Sequence, residues 1–205
     1  MKVRNLFLCV ALVIAFVGCG QKDLFEGAQD IGDVKVPGSV FFDKKTGVYT
    51  MEAGGLNMWD HADAFFMNWK KVTGDFSLSA DIAFEGEGTN AHRKIGLILR
   101  EKLEPGSRYA DIAVHGDGLT SLQYRKIEAG LTEEVVSAAK APTSIYLERK
   151  GNTVLIRSGK GDLEISDAQV ELELPEDCYV GLFICSHEDF ILETGYFSNV
   201  VFKKR

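Results

Sequence analysis

The chain contains 205 residues, with 23 Lys and Arg against 30 Asp and Glu and a formal net charge of −7. This acidic balance disfavours nucleic acid as a partner, because such binding needs Lys and Arg clustered on phosphates. The length suits one domain with a sizeable hydrophobic core.

The first 18 residues show the order of charge, short apolar run and small residue that characterises a secretory signal. Lys2 and Arg4 precede the apolar residues 6–17, a run shorter than the roughly 20 residues of a membrane span. Gly18 followed by Cys19 resembles a bacterial lipoprotein processing site, although Phe16 stands where Leu is usual. We expect Cys19 to carry acyl chains such as palmitate that anchor the chain to a membrane. An ordinary signal peptide with an incidental Cys is the alternative.

Residues 19–39 are predicted to form a tether between this anchor and the folded domain. Within it, Gln21-Lys22-Asp23 resembles the short charged signal that sends some lipoproteins to the outer cell surface. We therefore expect an outer-membrane lipoprotein that faces the periplasm or is exposed at the surface. A solvated tether without a sorting role explains the same three residues.

Residues 40–205 are predicted to form one all-β domain. Short alternating runs are separated by Gly, Asp, Asn or Pro roughly every 8–12 residues, a spacing typical of a sandwich or barrel. The predicted strands cover residues 48–53, 64–72, 76–85, 94–100, 108–115, 119–125, 144–150, 153–158, 170–174, 179–187 and 195–202. Residues 131–139 fit either a short helix or a strand. Without crossover helices, the strands must pair antiparallel.

One hairpin can be predicted in register. Gly116, Asp117 and Gly118 separate two alternating strands, and a three-residue loop matches apolar with apolar and polar with polar positions. The predicted pairs are Val114 with Thr120, Ile112 with Leu122, and Ala110 with Tyr124 on the core face, and Ala113 with Ser121, Asp111 with Gln123, and Tyr109 with Arg125 on the other face. Gly118 then supplies the left-handed residue of the loop.

Cys178 and Cys185 lie on one predicted strand, which separates them by about 23 Å at about 3.3 Å per residue. A disulfide needs Cα atoms within about 7 Å. Their odd separation also directs them to opposite faces, so we expect two free thiols.

Several predicted strands share a polar face whose central positions are small: Ala83, Gly96, Ala113 and Ser121. If these strands are neighbours, the face forms a shallow groove. Asp, Gln and Arg around it suit a hydroxyl-rich ligand, and aromatic rings supply flat platforms. The predicted ligand-binding residues are Trp69, Arg100, Asp111, His115, Gln123, Arg125 and His187, with Trp59 and Tyr109 as further candidate platforms. The alternative is the ordinary solvated side of an antiparallel sheet.

Five segments together resemble a known pattern: WDHADAF (59–65), HRKIGLILR (92–100), HGDGLTSLQYR (115–125), YVGLF (179–183) and FSNV (197–200). They resemble a poorly characterised bacterial lipoprotein family with the concanavalin A-like lectin/glucanase jelly roll. The resemblance implies two curved antiparallel sheets, with ligands usually on the concave face. It does not by itself specify a function.

Three functions fit these observations. The first is a noncatalytic module that binds a glycan or oligosaccharide. The second is a glycoside hydrolase-like enzyme with a carboxylate pair on the polar face. Asp81 and Glu85 share a face but lie about 13 Å apart along a strand, whereas hydrolysis needs about 5–9.5 Å. A pair formed by Asp111 with Asp81 or Glu85 across strands stays open at this point. The third is an envelope protein that binds another protein.

No cofactor is expected from the sequence. His92, His115 and His187 have no metal-like spacing, and the chain has no zinc-binding His pair and no phosphate loop. We therefore expect no transition-metal site, and a calcium ion held by Asp and carbonyl oxygens is the alternative that this fold leaves open, although the sequence has no calcium-loop signature.

Overall fold

A computed structural model describes residues 21–160 and 163–205, which form two antiparallel sheets packed into a sandwich. The eight-stranded sheet contains β1 (Gly27–Ile31), β4 (Asn57–Trp59), β5 (Ala62–Thr73), β7 (Lys94–Arg100), β8 (Tyr109–His115), β9 (Thr120–Arg125), β10 (Glu133–Val136) and β14 (Asp177–Cys185). The seven-stranded sheet contains β2 (Ser39–Asp43), β3 (Val48–Gly55), β6 (Phe76–Phe84), β11 (Ser144–Lys150), β12 (Thr153–Lys160), β13 (Leu163–Glu171) and β15 (Glu188–Lys204).

The strand order is β1-β5-β14-β7-β8-β9-β10 in the first sheet, with β4 paired to β5, and β13-β12-β11-β6-β15-β3-β2 in the second. Every pairing between these strands is antiparallel, which confirms the predicted all-β sandwich. Within the described ranges, no helix is long and apolar enough to cross a membrane.

The main core lies between the sheets and follows from alternation along the strands. In β7, Ile95, Leu97 and Leu99 point to the seven-stranded sheet, where they meet residues such as Leu78 of β6. Burial of each such side chain contributes about 1.5–3 kcal/mol relative to exposure.

A second, smaller core covers the opposite side of the eight-stranded sheet, which we call the outer face. It contains Ile31, Met58, Phe65, Met67, Ile98, Tyr109, Ala113, Phe183 and Cys185. As a result, every residue of β7, β8 and β9 is buried, although the strands alternate between apolar and polar positions. Loops and the short strand β4 therefore cover a face that the alternation of polar residues predicts to be exposed to solvent.

The predicted hairpin is confirmed in every pair. Val114 pairs with Thr120, and the remaining pairs follow in the predicted register to Tyr109 with Arg125. The Gly118 N–H donates to the His115 carbonyl at 2.9 Å, and Gly118 has a φ of +86°.

The strand predictions fail mainly at the edges of the sheets. Three strands were not predicted: β1, β2 and β4. The predicted strand at residues 170–174 is wrong in position, since β13 runs over Leu163–Glu171. In residues 131–139, where a helix and a strand fitted equally, the structure contains the strand β10. These strands are short or lack clear alternation, so pairing with a neighbour decides their conformation.

The predicted tether also needs correction. Gly27 pairs with Trp69 and Ile31 with Phe65, so β1 is an integral edge strand of the domain. Only Ile31 of this strand is fully buried, which explains why its sequence gives no strand signal. The predicted leader and Cys19 lie outside the described residues.

Cys178 and Cys185 are free thiols at the two ends of β14, as predicted. They belong to different cores, Cys178 between the sheets and Cys185 on the outer face. The odd spacing of the two residues produces this division.

The loop of the confirmed hairpin provides a test of the fold. Replacing Gly118 by Val places a Cβ 3.2 Å from the Cβ of Ala141 in a left-handed conformation. We expect a loss of about 2–3 kcal/mol in the free energy of unfolding, measured by urea denaturation. Gly118→Asn is the control and should lose less, because Asn tolerates this conformation. Equal stability of the Val variant and the wild type would contradict the assignment.

Candidate functional site

The cross-strand register places the predicted polar residues in rows on the outer face. Lys94 lies opposite His115, and the next row contains Gly96, Ala113 and Ser121. The two further rows are Ile98 with Asp111 and Gln123, and Arg100 with Tyr109 and Arg125. Arg100, Asp111, Gln123 and Arg125 therefore share one face, but none is more than 1% exposed.

The predicted open groove is not formed. Ala83 lies on β6 of the other sheet, opposite Tyr196, so it cannot join the floor. Gly96 is covered by the ring of Phe183, whose Cε1 atom would lie 2.6 Å from a Cβ added at this glycine. On the outer face, the small residues allow neighbouring side chains to pack closely, and they do not open space for a ligand.

Arg100 and Arg125 share one buried carboxylate, that of Asp63. Arg125 donates to Asp63 Oδ1 at 2.8 Å and Oδ2 at 2.9 Å, and both terminal nitrogens of Arg100 donate to Oδ2 at 3.2 Å. All three side chains are inaccessible to solvent. The prediction that the two arginines bind ligand is therefore not supported by their position.

The same arginines form hydrogen bonds with the loops that cover the outer face. Arg125 also donates to the carbonyl oxygens of Asp60, Pro105, Ser107 and Gly130, at 3.0 to 3.2 Å. Arg100 donates to those of Lys102 and Glu104, at 2.8 and 2.5 Å. These carbonyls belong to three separate connections, so the cluster of Asp63, Arg100 and Arg125 holds all three against the sheet.

A pocket of about 260 Å³ remains open at the other end of the outer face, where Lys94 faces His115. Its lining residues are Asn57, Trp59, His92, Lys94, His115, Leu119, Gln123, Glu134 and His187. Three predicted residues are therefore brought together here: His115, Gln123 and His187. Arg100, Asp111, Arg125 and Trp69 do not line this pocket.

Trp59 is the aromatic residue of this pocket. It ends the short strand β4, is half-buried, and its ring lies 5.8 Å from the Lys94 Nζ atom. Trp69 instead packs edge-on against Tyr179, with ring centroids 5.3 Å apart, and covers Gly27. Tyr109 is fully buried, and its hydroxyl lies 3.2 Å from Thr132 Oγ1.

Two of the imidazoles that line the pocket, those of His115 and His187, are held in their neutral form. Burial, reinforced by the charge of Lys94, lowers the pKa of His115 to about 3 and the pKa of His187 to about 4. The Gln123 amide can therefore donate to His115 Nε2, 3.4 Å away. The protonated Nδ1 of the neutral His115 ring then remains as a donor for a hydroxyl-bearing ligand.

Several buried polar atoms at this site have no hydrogen-bond partner among the described residues. Those on pocket-lining side chains are Asn57 Oδ1, His115 Nδ1 and Gln123 Oε1. Both carboxyl oxygens of Asp111 and the hydroxyl of Ser121 are likewise unpartnered, one layer deeper. Burial raises the pKa of Asp111 well above its usual range, opposed chiefly by the nearby Lys94. Unpartnered buried polar atoms are costly, so their concentration here indicates groups that a ligand or water satisfies.

The three histidines do approach one another, despite their separation in sequence. The ring centroid of His92 lies 6.0 Å from that of His115 and 5.7 Å from that of His187. Nevertheless, no group of three or more His, Cys, Asp or Glu side chains in the described ranges is arranged to hold a metal ion.

Sequence reasoning missed five lining residues, Asn57, His92, Lys94, Leu119 and Glu134, whereas Trp59 was named as a candidate aromatic platform. Lys94 carried a usable signal, since it alternates with Gly96 on the polar face. Asn57 lies on a strand that the sequence did not predict, and Glu134 lies in residues 131–139, where a helix and a strand fitted equally, so no pattern could bring either residue to the site.

Comparisons with known proteins identify the fold. No protein-family sequence model matches the chain, and no curated protein matches it. Among solved structures, a functionally unknown protein from Saccharomyces cerevisiae aligns with a TM-score of 0.63 at 15% identity, covering 87% of this chain and 96% of the other.

The names of two further solved structures state what kind of protein each one is. Carbohydrate-binding module CBM66 from Bacillus subtilis aligns with a TM-score of 0.58 at 15% identity, covering 88% of this chain and 98% of the module. Alginate lyase AlyC3 aligns with a TM-score of 0.54 at 10% identity, covering 86% and 88% of the two chains. These identities establish a shared jelly-roll sandwich and no more.

The buried charge cluster predicts a large stability effect. Asp63→Asn leaves two guanidinium groups without a compensating charge, so we expect a loss of about 3–5 kcal/mol in the free energy of unfolding. Glu128→Gln, which breaks the exposed pair of Glu128 with Lys102, is the control and should cost less than about 1 kcal/mol. Chemical denaturation of both variants measures the difference. Similar losses in the two variants would show that the cluster does not hold the loops.

Proposed function

We propose that the pocket between Lys94 and His115 binds a carbohydrate, and that the chain acts as a carbohydrate-binding β-sandwich. The observation that carries this proposal is the joint placement of an aromatic ring and unpartnered polar atoms. Trp59 offers an apolar platform, while Asn57, His115 and Gln123 offer hydrogen-bonding atoms that the protein leaves unsatisfied. A sugar ring combines an apolar face with several hydroxyls, so it matches both features.

The size of the pocket supports a small ligand. Its volume of about 260 Å³ lies just below the roughly 300–1,000 Å³ typical of drug-sized sites. A single sugar unit or the end of an oligosaccharide fits this scale better than a long internal stretch of polymer.

Two of the solved structures with this fold agree with the proposal at the level of ligand class. One is named a carbohydrate-binding module and the other an alginate lyase. Both names concern carbohydrates, although the fold itself hosts different activities.

The site favours binding over hydrolysis. Glu134 is the one carboxylate that lines the pocket among the described residues, whereas a glycoside hydrolase normally uses two. Asp111 lies beneath the surface, and Asp81 belongs to the other sheet, where it accepts hydrogen bonds from Ser144 and Asn199. A carbohydrate-active enzyme of another type is the alternative within this ligand class.

A second candidate function, binding of another protein, is favoured by one observation. Phe190, Ile191 and Leu192 are consecutive apolar residues near the start of β15, and Phe190 is 77% exposed. Exposed apolar residues in a run are a feature of interaction sites. Failure of every tested glycan to bind would make this candidate the better explanation.

We also propose that the domain is tethered to the outer membrane through Cys19. Two features of the sequence support this: the leader, and the placement of Cys19 directly after Gly18. The same proposal places the domain either in the periplasm or at the outer cell surface.

Metabolic labelling with radioactive palmitate in a Gram-negative host tests the anchor. We expect the wild type to incorporate label and to sediment with membranes, and Cys19→Ser to do neither, because the thiol is the acylated group. Cys9→Ser is the matched control and should behave as the wild type, since Cys9 lies within the predicted leader. Label that persists in Cys19→Ser would contradict the proposal.

Calorimetric titration tests the binding pocket against a panel of neutral and acidic oligosaccharides. For the best ligand, we expect Trp59→Leu to weaken binding about tenfold or more, because the platform is lost. Trp69→Leu removes the same type of side chain outside the pocket and should leave affinity within about threefold. Equal losses in both variants, or no binding by any sugar, would argue against this site.

A further inference from the structure

Among the buried cationic side chains of the described residues, Lys94 differs from the arginines in the partners that it contacts. Arg100 and Arg125 are paired with Asp63, Arg93 forms an ion pair with Glu193, and Arg149 donates to three backbone carbonyls at 2.7 to 3.0 Å. Lys94 is only 2% exposed, yet its Nζ atom donates to a single group, the Met58 carbonyl at 3.2 Å. An ammonium carries three donors, so two remain unused.

No acidic group of the described chain balances Lys94. Neither Asp111 nor Glu134 forms an ion pair with it, although both lie near enough to influence its charge. Burial raises the pKa of Asp111 well above its usual range and that of the Cys185 thiol to about 11, so burial disfavours a charged counter-ion at either position. A buried ammonium without a counter-ion is strongly unfavourable, and burial accordingly lowers the pKa of Lys94.

Lys94 lines the same pocket as the unpartnered atoms of Asn57, His115 and Gln123. We propose that the ligand of this pocket is an acidic carbohydrate, whose carboxylate pairs with Lys94 while its hydroxyls bond to the neutral polar groups. This inference rests on the proposed carbohydrate-binding function and narrows its ligand class to sugars of the uronic acid type.

The distribution of donors and acceptors agrees with such a ligand. The oxygens of Asn57 and Gln123 accept hydrogen bonds and therefore call for hydroxyl donors, not for a second anion. Lys94 is the one Lys or Arg side chain that lines the pocket among the described residues, and His115 and His187 are held neutral. One carboxylate and several hydroxyls satisfy this set, as in a single uronate unit.

The test compares charged and uncharged forms of the same sugars. Short oligomers of mannuronate, galacturonate and glucuronate are titrated into the full chain, each beside its methyl ester, which has nearly the same shape without the charge. We expect at least one oligouronate to bind about tenfold or more tightly than its ester, because a charge-assisted hydrogen bond contributes about this much to the binding affinity.

Substitution of Lys94 assigns that preference to the residue. Lys94→Met keeps the length of the side chain without its charge, and should bring an oligouronate and its ester to within about threefold of each other. Lys102→Met removes an exposed lysine outside the pocket and should retain the preference. Thermal unfolding of each variant confirms that it is folded before titration.

The outcomes separate this inference from the function on which it rests. Tight binding of neutral sugars or esters without any gain from the carboxylate would overturn the acidic ligand and leave carbohydrate binding intact. A preference for uronates that survives in Lys94→Met would overturn the role of Lys94. Absence of binding by both charged and neutral sugars would overturn both proposals.

Discussion

The structure depends on one buried electrostatic constraint, the sharing of Asp63 by Arg100 and Arg125 beneath the loops of the outer face. Three solvent-inaccessible charged groups bind one another and the carbonyls of three connections. Such a cluster stabilises little compared with an apolar replacement, but removal of one member leaves a charge uncompensated. It therefore restricts where the loops can lie, and thereby turns one side of the sheet into a second core.

The location of the pocket is a consequence of this arrangement. The loops close over the rows that contain Arg100 and Asp111, and the opening remains at the end where Lys94 faces His115. Lys94, His115 and Gln123 project from central strands buried on both faces, which hold their positions. Trp59 and Glu134 approach from peripheral strands. The proposed site thus combines a rigid base with walls supplied by the edges of the sheet.

The electrostatics of the pocket differ from those of the whole chain. The formal net charge is −7, yet among the described residues the outer face contains three buried cationic side chains, those of Lys94, Arg100 and Arg125. Asp63 forms ion pairs with the two arginines, and no carboxylate of the described residues forms one with Lys94. Burial disfavours the charged form of Asp111, the other buried acid of this face, and raises its pKa. An acidic chain can therefore present a local site that prefers anions, since buried charges interact much more strongly than screened surface charges. This contrast underlies the inference that a uronate fits beside Lys94.

From sequence alone, the all-β class, the register of the hairpin from Tyr109 to Arg125 and the free state of Cys178 and Cys185 were determined. These properties are local, because alternation with a period of two and the geometry of one short loop dictate them. Only the tertiary structure decided that Arg100 and Arg125 are structural and that Lys94, Trp59 and Glu134 line the pocket. Those roles depend on which distant loops cover a face, and alternation identifies the face of a residue without revealing what packs against it.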